Sequence, residues 1–320
     1  MVMVDEHLEQ ALQEYNDKVN ALEPQGTSQE LLDAYLNRGS VLSLLESYVS
    51  AITDFDDAVA LIKVLENSGH PVDAGCFVKA YVSRGELRND DDTGLMKEDY
   101  IAAAARVPEL RENSRYYDRK KTVEMCLNVA GDLLDADYPV ETAPFLDKAL
   151  SYLVGNDDNW SRNCYTKACN LTGQAAMDEH NNTRAREEFT ETIRVATDLK
   201  KAGKLEDELE LVYAYVSRGD VEDDMQDTEP YLADRLAAID LMEDMLKRNA
   251  LDDTELLANL HGEVAQLYMR KNEMKKAERH LMRQVAINLD GAREYMRDQQ
   301  IDDGTEEYDF GDRDVDGPDE

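Results

Sequence analysis

The chain lacks most of what a strand-built, disulfide-stapled or membrane-spanning protein requires. In 320 residues it has seven prolines, four cysteines, one tryptophan and five histidines. No run of β-branched and aromatic residues alternates between turn signals, so strands are not expected. No stretch approaches the roughly 18 apolar residues of a membrane span. The opening MVMVDEHLEQ carries Asp5 and Glu6 with no apolar run behind a basic start, which does not read as a signal peptide. Cys76, Cys126, Cys164 and Cys169 form neither a CxxC pair nor a small disulfide framework. Their spacing suits buried thiols in a reducing cytosol, and a cytoplasmic location is expected. Cations are scarce as well: 35 Lys and Arg stand against 70 Asp and Glu, a net charge of −35. Such a chain lacks the basic footprint that displaces counterions from phosphates, so nucleic acid is not an expected partner, and neither is an anionic membrane. The charge favours solubility and, where gathered on one face, basic partners. Adaptation to a salty cytoplasm would produce the same composition.

Catalytic constellations are missing too. His7, His70, His180, His261 and His280 fit no HExxH motif and no paired Cys/His spacing, and each is expected at a surface or interface. There is no GxGxxG, P-loop or nucleophile elbow, and carboxylates are too abundant for any pair to be informative. Near the end, Asp312, Asp314, Asp316 and Gly317 match the first half of a calcium loop, but the chain stops before its twelfth position. No catalytic, cofactor or metal residue is assigned, and the chain is not read as an enzyme.

What is present is helix. Long stretches rich in Ala, Leu, Glu, Asp, Met and Arg favour it, and an apolar fraction of 42% suffices for a core. The hexapeptide AYVSRG occurs at Ala80–Gly85 and again at Ala214–Gly219, with AYLNRG at Ala34–Gly39. The gaps of 46 and 134 residues imply further copies between them. A small residue recurs at Gly39, Gly85, Gly131, Gly173, Gly219 and Ala265, in steps of 46, 46, 42, 46 and 46. This indicates stacked copies of one supersecondary unit.

The first unit is the clearest. Tyr35, Gly39 and Leu42 lie on one helical stripe, and Tyr48, Ala51, Phe55 and Ala58 lie on a second. This order of aromatic, small, large apolar, aromatic, small, aromatic and small resembles the tetratricopeptide repeat family. Partial matches follow at Tyr81, Gly85, Tyr100 and Ala103, at Gly173, Ala185 and Phe189, and at Ala265, Tyr268, Ala277 and Leu281. The family's period is about 34, so the longer one here implies longer helices and connections. The resemblance implies an all-α, right-handed α-solenoid of stacked antiparallel helical hairpins. Residues 1–27 are expected to hold a leading capping helix, 28–297 about six hairpins in one solenoid, and 298–320 an acidic disordered tail.

In such a stack the first helices line the concave face, with the residues beside each small position pointing into it. That assigns Glu86, Asn128, Asp132, Asp135, Asn170, Gln174, Asp220, Asp223 and Gln266 to a partner-binding surface, with Asn89 at the same phase. Lysine and arginine are absent from these positions, whereas family members that grip a terminal carboxylate use them. The resemblance therefore implies a protein- or peptide-binding scaffold whose partner is basic or amphipathic. The alternative is a self-associating structural or regulatory protein, a homo-oligomer joined through apolar ends such as Met242, Met245, Met269, Met274 and Met282. Arg38, Arg84 and Arg218 are expected to lay their stems on the core and reach a carboxylate or a helix end.

Overall fold

The computed structural model describes residues 2–88, 93–251 and 254–302, with side chains from 6 to 289 within those ranges. Among the described residues there is no strand, only an isolated bridge between Ser114 and Tyr117. A leading helix, α1 (Val2–Leu22), is followed by twelve more α-helices among the described residues, taken here two by two in chain order. These are α2 (Gln29–Leu44) with α3 (Tyr48–Asn67), α4 (Ala74–Glu86) with α5 (Thr93–Ala104), and α6 (Arg119–Asp135) with α7 (Ala143–Leu153). The others are α8 (Asn159–Asp178) with α9 (Asn182–Lys201), α10 (Leu209–Asp224) with α11 (Thr228–Lys247), and α12 (Glu255–Arg270) with α13 (Met274–Asp302). The last helix continues through residues 298–302, which the sequence assigns to the tail; the remainder of that tail, its calcium-like motif and Asn89 lie outside the described residues. The chain falls into two compact units, Met1–Thr228 and Glu229–Glu320.

Each first helix of the first four hairpins starts on a side-chain cap. Ser28, Asp73, Asp118 and Asp158 accept from the backbone N–H groups of Leu31, Gly75, Lys121 and Ser161, which satisfies donors the helix leaves open. Helix ends are marked by a left-handed residue: Glu46, Asp137, His180, Gln226 and Asn272 have φ between 55° and 65°. Four of these stand seven residues after Gly39, Gly173, Gly219 and Ala265. Asp137 stands seven after Ala130, not Gly131.

That offset corrects the register of the third hairpin. Ala130 is fully buried, whereas a Cβ built on Gly131 would meet nothing within 4 Å. The small positions are therefore 39, 85, 130, 173, 219 and 265, in steps of 46, 45, 43, 46 and 46. Two adjacent small residues, Ala130 and Gly131, allowed the sequence to be read one residue late.

At three of these small positions, Gly39, Gly85 and Gly173, two helices touch. A Cβ on Gly39 would lie 2.9 Å from Phe55 Cε1, on Gly85 2.5 Å from Tyr100 Cε1, and on Gly173 2.7 Å from Phe189 Cε1. Phe55, Tyr100 and Phe189 are almost wholly buried. Beside two of these contacts runs an ion pair. Arg38 forks onto Asp54 at 2.8 and 2.6 Å, and Arg84 onto Asp99 at 3.0 and 2.5 Å, each aspartate buried and each one residue before the aromatic. The guanidinium groups lie over the rings of Tyr35 and Tyr81. The third hairpin replaces this polar pair with apolar residues, Val129 and Phe145, both fully buried. In the fifth, Arg235 stands where Phe55 and Phe189 stand in theirs, sixteen residues past the small position. The boundary between the two compact units falls within this stretch of the chain.

In the second unit His261 is buried, contrary to expectation. It lies four residues before Ala265, the phase held by Tyr35 and Tyr81 in their hairpins, so it occupies an aromatic core position. Its Nδ1 lies 2.9 Å from His280 Nδ1 and its Nε2 3.2 Å from Glu243 Oε1. Arg283 forks onto the same carboxylate at 2.6 and 2.9 Å and holds it below the usual glutamate range. Burial lowers both imidazole pKa values, most strongly opposed for His261 by Glu243; His261 and Arg279 add to the lowering at His280, and Asp240 opposes it. Met242 and Met245, proposed from sequence as exposed, are buried in this core.

Two outcomes are expected. Gly85→Ala should lose roughly 1–3 kcal/mol of stability by overpacking against Tyr100, while Gly131→Ala should gain roughly 0.5–1 kcal/mol as an ordinary helix substitution; urea titration of both variants checks the assigned register. A folded histidine pKa below the unfolded value of 6.5 means stability is intact above that pH and declines as pH falls through it. The pair accommodates one Nδ1–H between its rings, and a second proton sets two donors against each other. Thermal melts from pH 7 to pH 5 should therefore show a loss at the second unit that His280→Gln reduces.

Candidate partner-binding groove

Three hollows run along the first helices of the first unit. The first, about 210 Å³, is lined by Ser40, Ser43 and Leu44 of α2 and Lys79, Ser83 and Glu86 of α4. The second, about 530 Å³, shares Glu86 and adds Leu127, Asn128, Gly131, Asp132 and Asp135 of α6 and Lys167 of α8. The third, about 360 Å³, shares Asp135 and Lys167 and adds Asn170, Leu171 and Gln174 of α8 and Glu210, Tyr213 and Ser217 of α10. The shared residues make one continuous groove across five helices.

Counted from the small position, the groove stripe lies at −6, −2 and +1, which is one face of a helix. It reads Asp33, Lys79, Glu124, Lys167 and Tyr213 at −6, and Asn37, Ser83, Asn128, Leu171 and Ser217 at −2. Six of the nine assigned residues, Glu86, Asn128, Asp132, Asp135, Asn170 and Gln174, line these hollows. Asp220 and Asp223 are exposed farther along α10, and Gln266 is exposed on α12 in the second unit.

Three differences from the sequence reading follow from this stripe. Lys79 and Lys167 face the groove, so it is not free of cations; both sit one turn before the positions sampled from sequence. The −3 position is core in the first two hairpins, where Leu36 and Val82 are buried, and Asn128 reaches the groove because the third hairpin is shifted by one. Some assigned residues also hold the fold together. Asp132 accepts from the buried Tyr100 hydroxyl at 2.7 Å, and Asn170 Nδ2 donates to the Glu210 carbonyl at 2.9 Å and to its carboxylate at 2.6 Å. The Asn170 Oδ1 atom is buried without a hydrogen-bond partner.

The electrostatics are those of a polar groove walled by protein. Glu86 is exposed to the groove's solvent, yet the surrounding atoms deplete its hydration and raise its carboxyl pKa; Lys79 opposes this and Asp132 adds to it. The same depletion lowers the pKa of Lys79, with Glu86 opposing.

One end of the groove stripe is already filled by the chain itself. The connection between α5 and α6 turns back over α4 and lays Arg115 and Tyr116 on α2. Arg115 pairs with Asp33 at 2.7 Å, the Tyr116 hydroxyl donates to Asp33 at 3.1 Å, and Asn37 donates to that hydroxyl at 3.3 Å. The Cys76 thiol lies 3.6 Å from the same carboxylate. Tyr116 adopts φ = 68°, a left-handed conformation that a tyrosine holds only where its surroundings enforce it. A Cβ on Gly75 would lie 1.9 Å from the Arg115 carbonyl oxygen, so only glycine admits this segment. The connection is anchored farther back as well. Arg106 donates to the Val72 carbonyl, and Lys148 and Tyr152 donate to the Leu110 carbonyl.

No protein-family model matches the sequence, and no curated protein matches it. Solved structures do. BtubC from P. vanneervenii is 16% identical and superposes with a TM-score of 0.53, over 86% of this chain and 99% of that one. The C-terminal part of a TPR repeat-containing protein from Cytophaga hutchinsonii is 13% identical, with a TM-score of 0.52 over 88% and 94%. The apo form of RapI is 12% identical, with a TM-score of 0.52 over 71% and 76%. Likeness at this identity establishes the fold, and with the hairpin geometry above it makes this chain an all-α stack of helical hairpins of the tetratricopeptide-repeat type.

Proposed function

We propose that the protein is a non-catalytic scaffold that binds another protein or a peptide along the groove of its first unit, and that the partner is basic or amphipathic. The observation that carries this reading is the continuity of the groove. The first helices of five successive hairpins contribute to it, and Glu86, Asn128, Asp135 and Gln174 line it without joining one hairpin to the next. An extended surface of this kind suits an extended ligand. Carboxylates outnumber the two lysines, and Asp220 and Asp223 extend the acidic surface along α10, which favours cationic side chains. The four cysteines are free thiols, which fits a reducing cytoplasm. None of the described helices is long and apolar enough to cross a membrane.

A second reading, self-association, has one observation in its favour. On α13 Met274, Met282, Val285 and Leu289 are each more than half exposed, an apolar surface a second copy would cover. Light scattering separates the two: a monomer from micromolar to millimolar concentration removes this second reading.

The groove is tested by capture from native lysate. Neutralising Glu86, Asp135 and Asp223 together, as Gln or Asn, should reduce recovery of the bound partner at least tenfold while the melting temperature holds. Asp132 and Glu210 are left intact because they bond across helices. Unchanged capture by this variant would exclude the acidic groove as the recognition surface.

A further inference from the structure

The second unit carries a surface that the groove does not use. On α13 Met274, Leu281, Met282, Val285 and Leu289 are exposed. The last four stand seven, eight, eleven and fifteen residues past Met274, which puts all five on one face of the helix. By the same count Lys275 and Arg279, one turn apart and exposed, fall on its flank. Neither ion-pairs with any described residue, whereas Lys276 pairs with Glu273 and Arg283 with Glu243. Residues 274–289 hold four cations against one acid, Glu278, in a chain where acids outnumber cations two to one. An apolar stripe edged with unpaired cations suits an occupant that is both apolar and acidic.

A segment of that composition is joined to the same helix. The eighteen residues after Asp302 hold nine acids and one arginine. Tyr308 and Phe310 stand among them two residues apart, and Asp312, Asp314 and Asp316 continue the same alternation. Residues two apart share one side of an extended chain, so that side would offer two rings followed by three carboxylates. The face of α13, followed back from its Leu289 end, offers the complementary order. Leu289, Val285 and Met282 come first, then Arg279 and Lys275.

Reach permits the match. From residue 302 back to Lys275 the helix rises about 40 Å, at roughly 1.5 Å per residue. With three residues spent on reversing direction, the remaining fifteen span roughly 50 Å when extended. The covalent join also favours this occupant over a second copy. A segment tethered this close to its site meets it at an effective concentration on the order of millimolar.

We propose that this face of α13 docks the chain's own acidic tail, residues 306–316. Tyr308 and Phe310 lie on the apolar stripe, and the aspartates beyond them reach Arg279 and Lys275. The docked segment covers the surface a second copy would use, so docking and self-association through α13 exclude each other. Neither the groove nor its partner enters this inference. Salt weakens the charged half of the contact and leaves the contribution of the rings.

Zero-length cross-linking of the full-length chain tests this. A carbodiimide joins a carboxylate to a lysine amine where the two touch, and Lys97 with Glu141, 2.8 Å apart, is the internal control. An equal mixture of isotopically light and heavy protein separates contacts within one chain from contacts between two. The expected product joins Lys275 to a carboxylate of residues 306–316 within a single chain. Tyr308→Ser combined with Phe310→Ser should lower its yield about fivefold with the control pair unchanged, and Arg279→Gln should lower it as well. A tether without docking would give a cross-link indifferent to the two rings, and that result overturns the proposal. So does a Lys275 that joins no tail carboxylate while the control product forms. A product found only between light and heavy chains also overturns it and assigns the face to a second copy.

Discussion

The first unit depends on how closely two helices approach where a ring meets a position without a side chain. At Gly39, Gly85 and Gly173 a Cβ would lie within 3 Å of Phe55, Tyr100 or Phe189, so the backbone of one helix rests on the face of the other's aromatic. That contact fixes the rotation of each first helix about its own axis. Once rotation is fixed, the side chains at −6, −2 and +1 point the same way in every hairpin, and the groove is the consequence. The forks from Arg38 to Asp54 and from Arg84 to Asp99 reinforce the same rotation from beside the ring. Removing one member of such a pair would strand the other's buried charge, so both partners are needed for the contact to hold.

Where the device changes, so does the architecture. The third hairpin keeps a small residue but substitutes apolar Val129 and Phe145 for the ion pair, and its groove residues follow the shifted register. Burial thus accounts for both the regular stretch and the shifted hairpin without any appeal to helix propensity, which is high throughout.

Much of this was legible in the sequence because period and small residues are set by the same contact. AYVSRG and its relatives located the hairpins, and Arg38 and Arg84 behave as their position implied. Four features were not legible. Ala130 and Gly131 are adjacent small residues, and only the burial of Ala130, the open space at Gly131 and the left-handed turn at Asp137 show which one packs. Lys79 and Lys167 lie a turn before the motif, where a stripe sampled at +1, −3 and +4 does not look. His261 hides in an aromatic phase, since its polar partners Glu243 and His280 come from the two neighbouring helices α11 and α13. The covering of Asp33 by Arg115 and Tyr116 could not be read at all. It requires a left-handed tyrosine and a glycine, Gly75, forty residues earlier.

Carboxyl footprinting of the chain saturated with its captured partner tests the central claim most directly. Reaction with a carbodiimide and an amine marks each accessible carboxylate, and the two sides of the hairpins carry distinct reporters. Binding along the first helices predicts protection of Glu86, Glu124 and Asp135 with unchanged labelling of Glu66 and Asp198 on α3 and α9. Protection of Glu66 and Asp198, with the groove carboxylates still reactive, would contradict it.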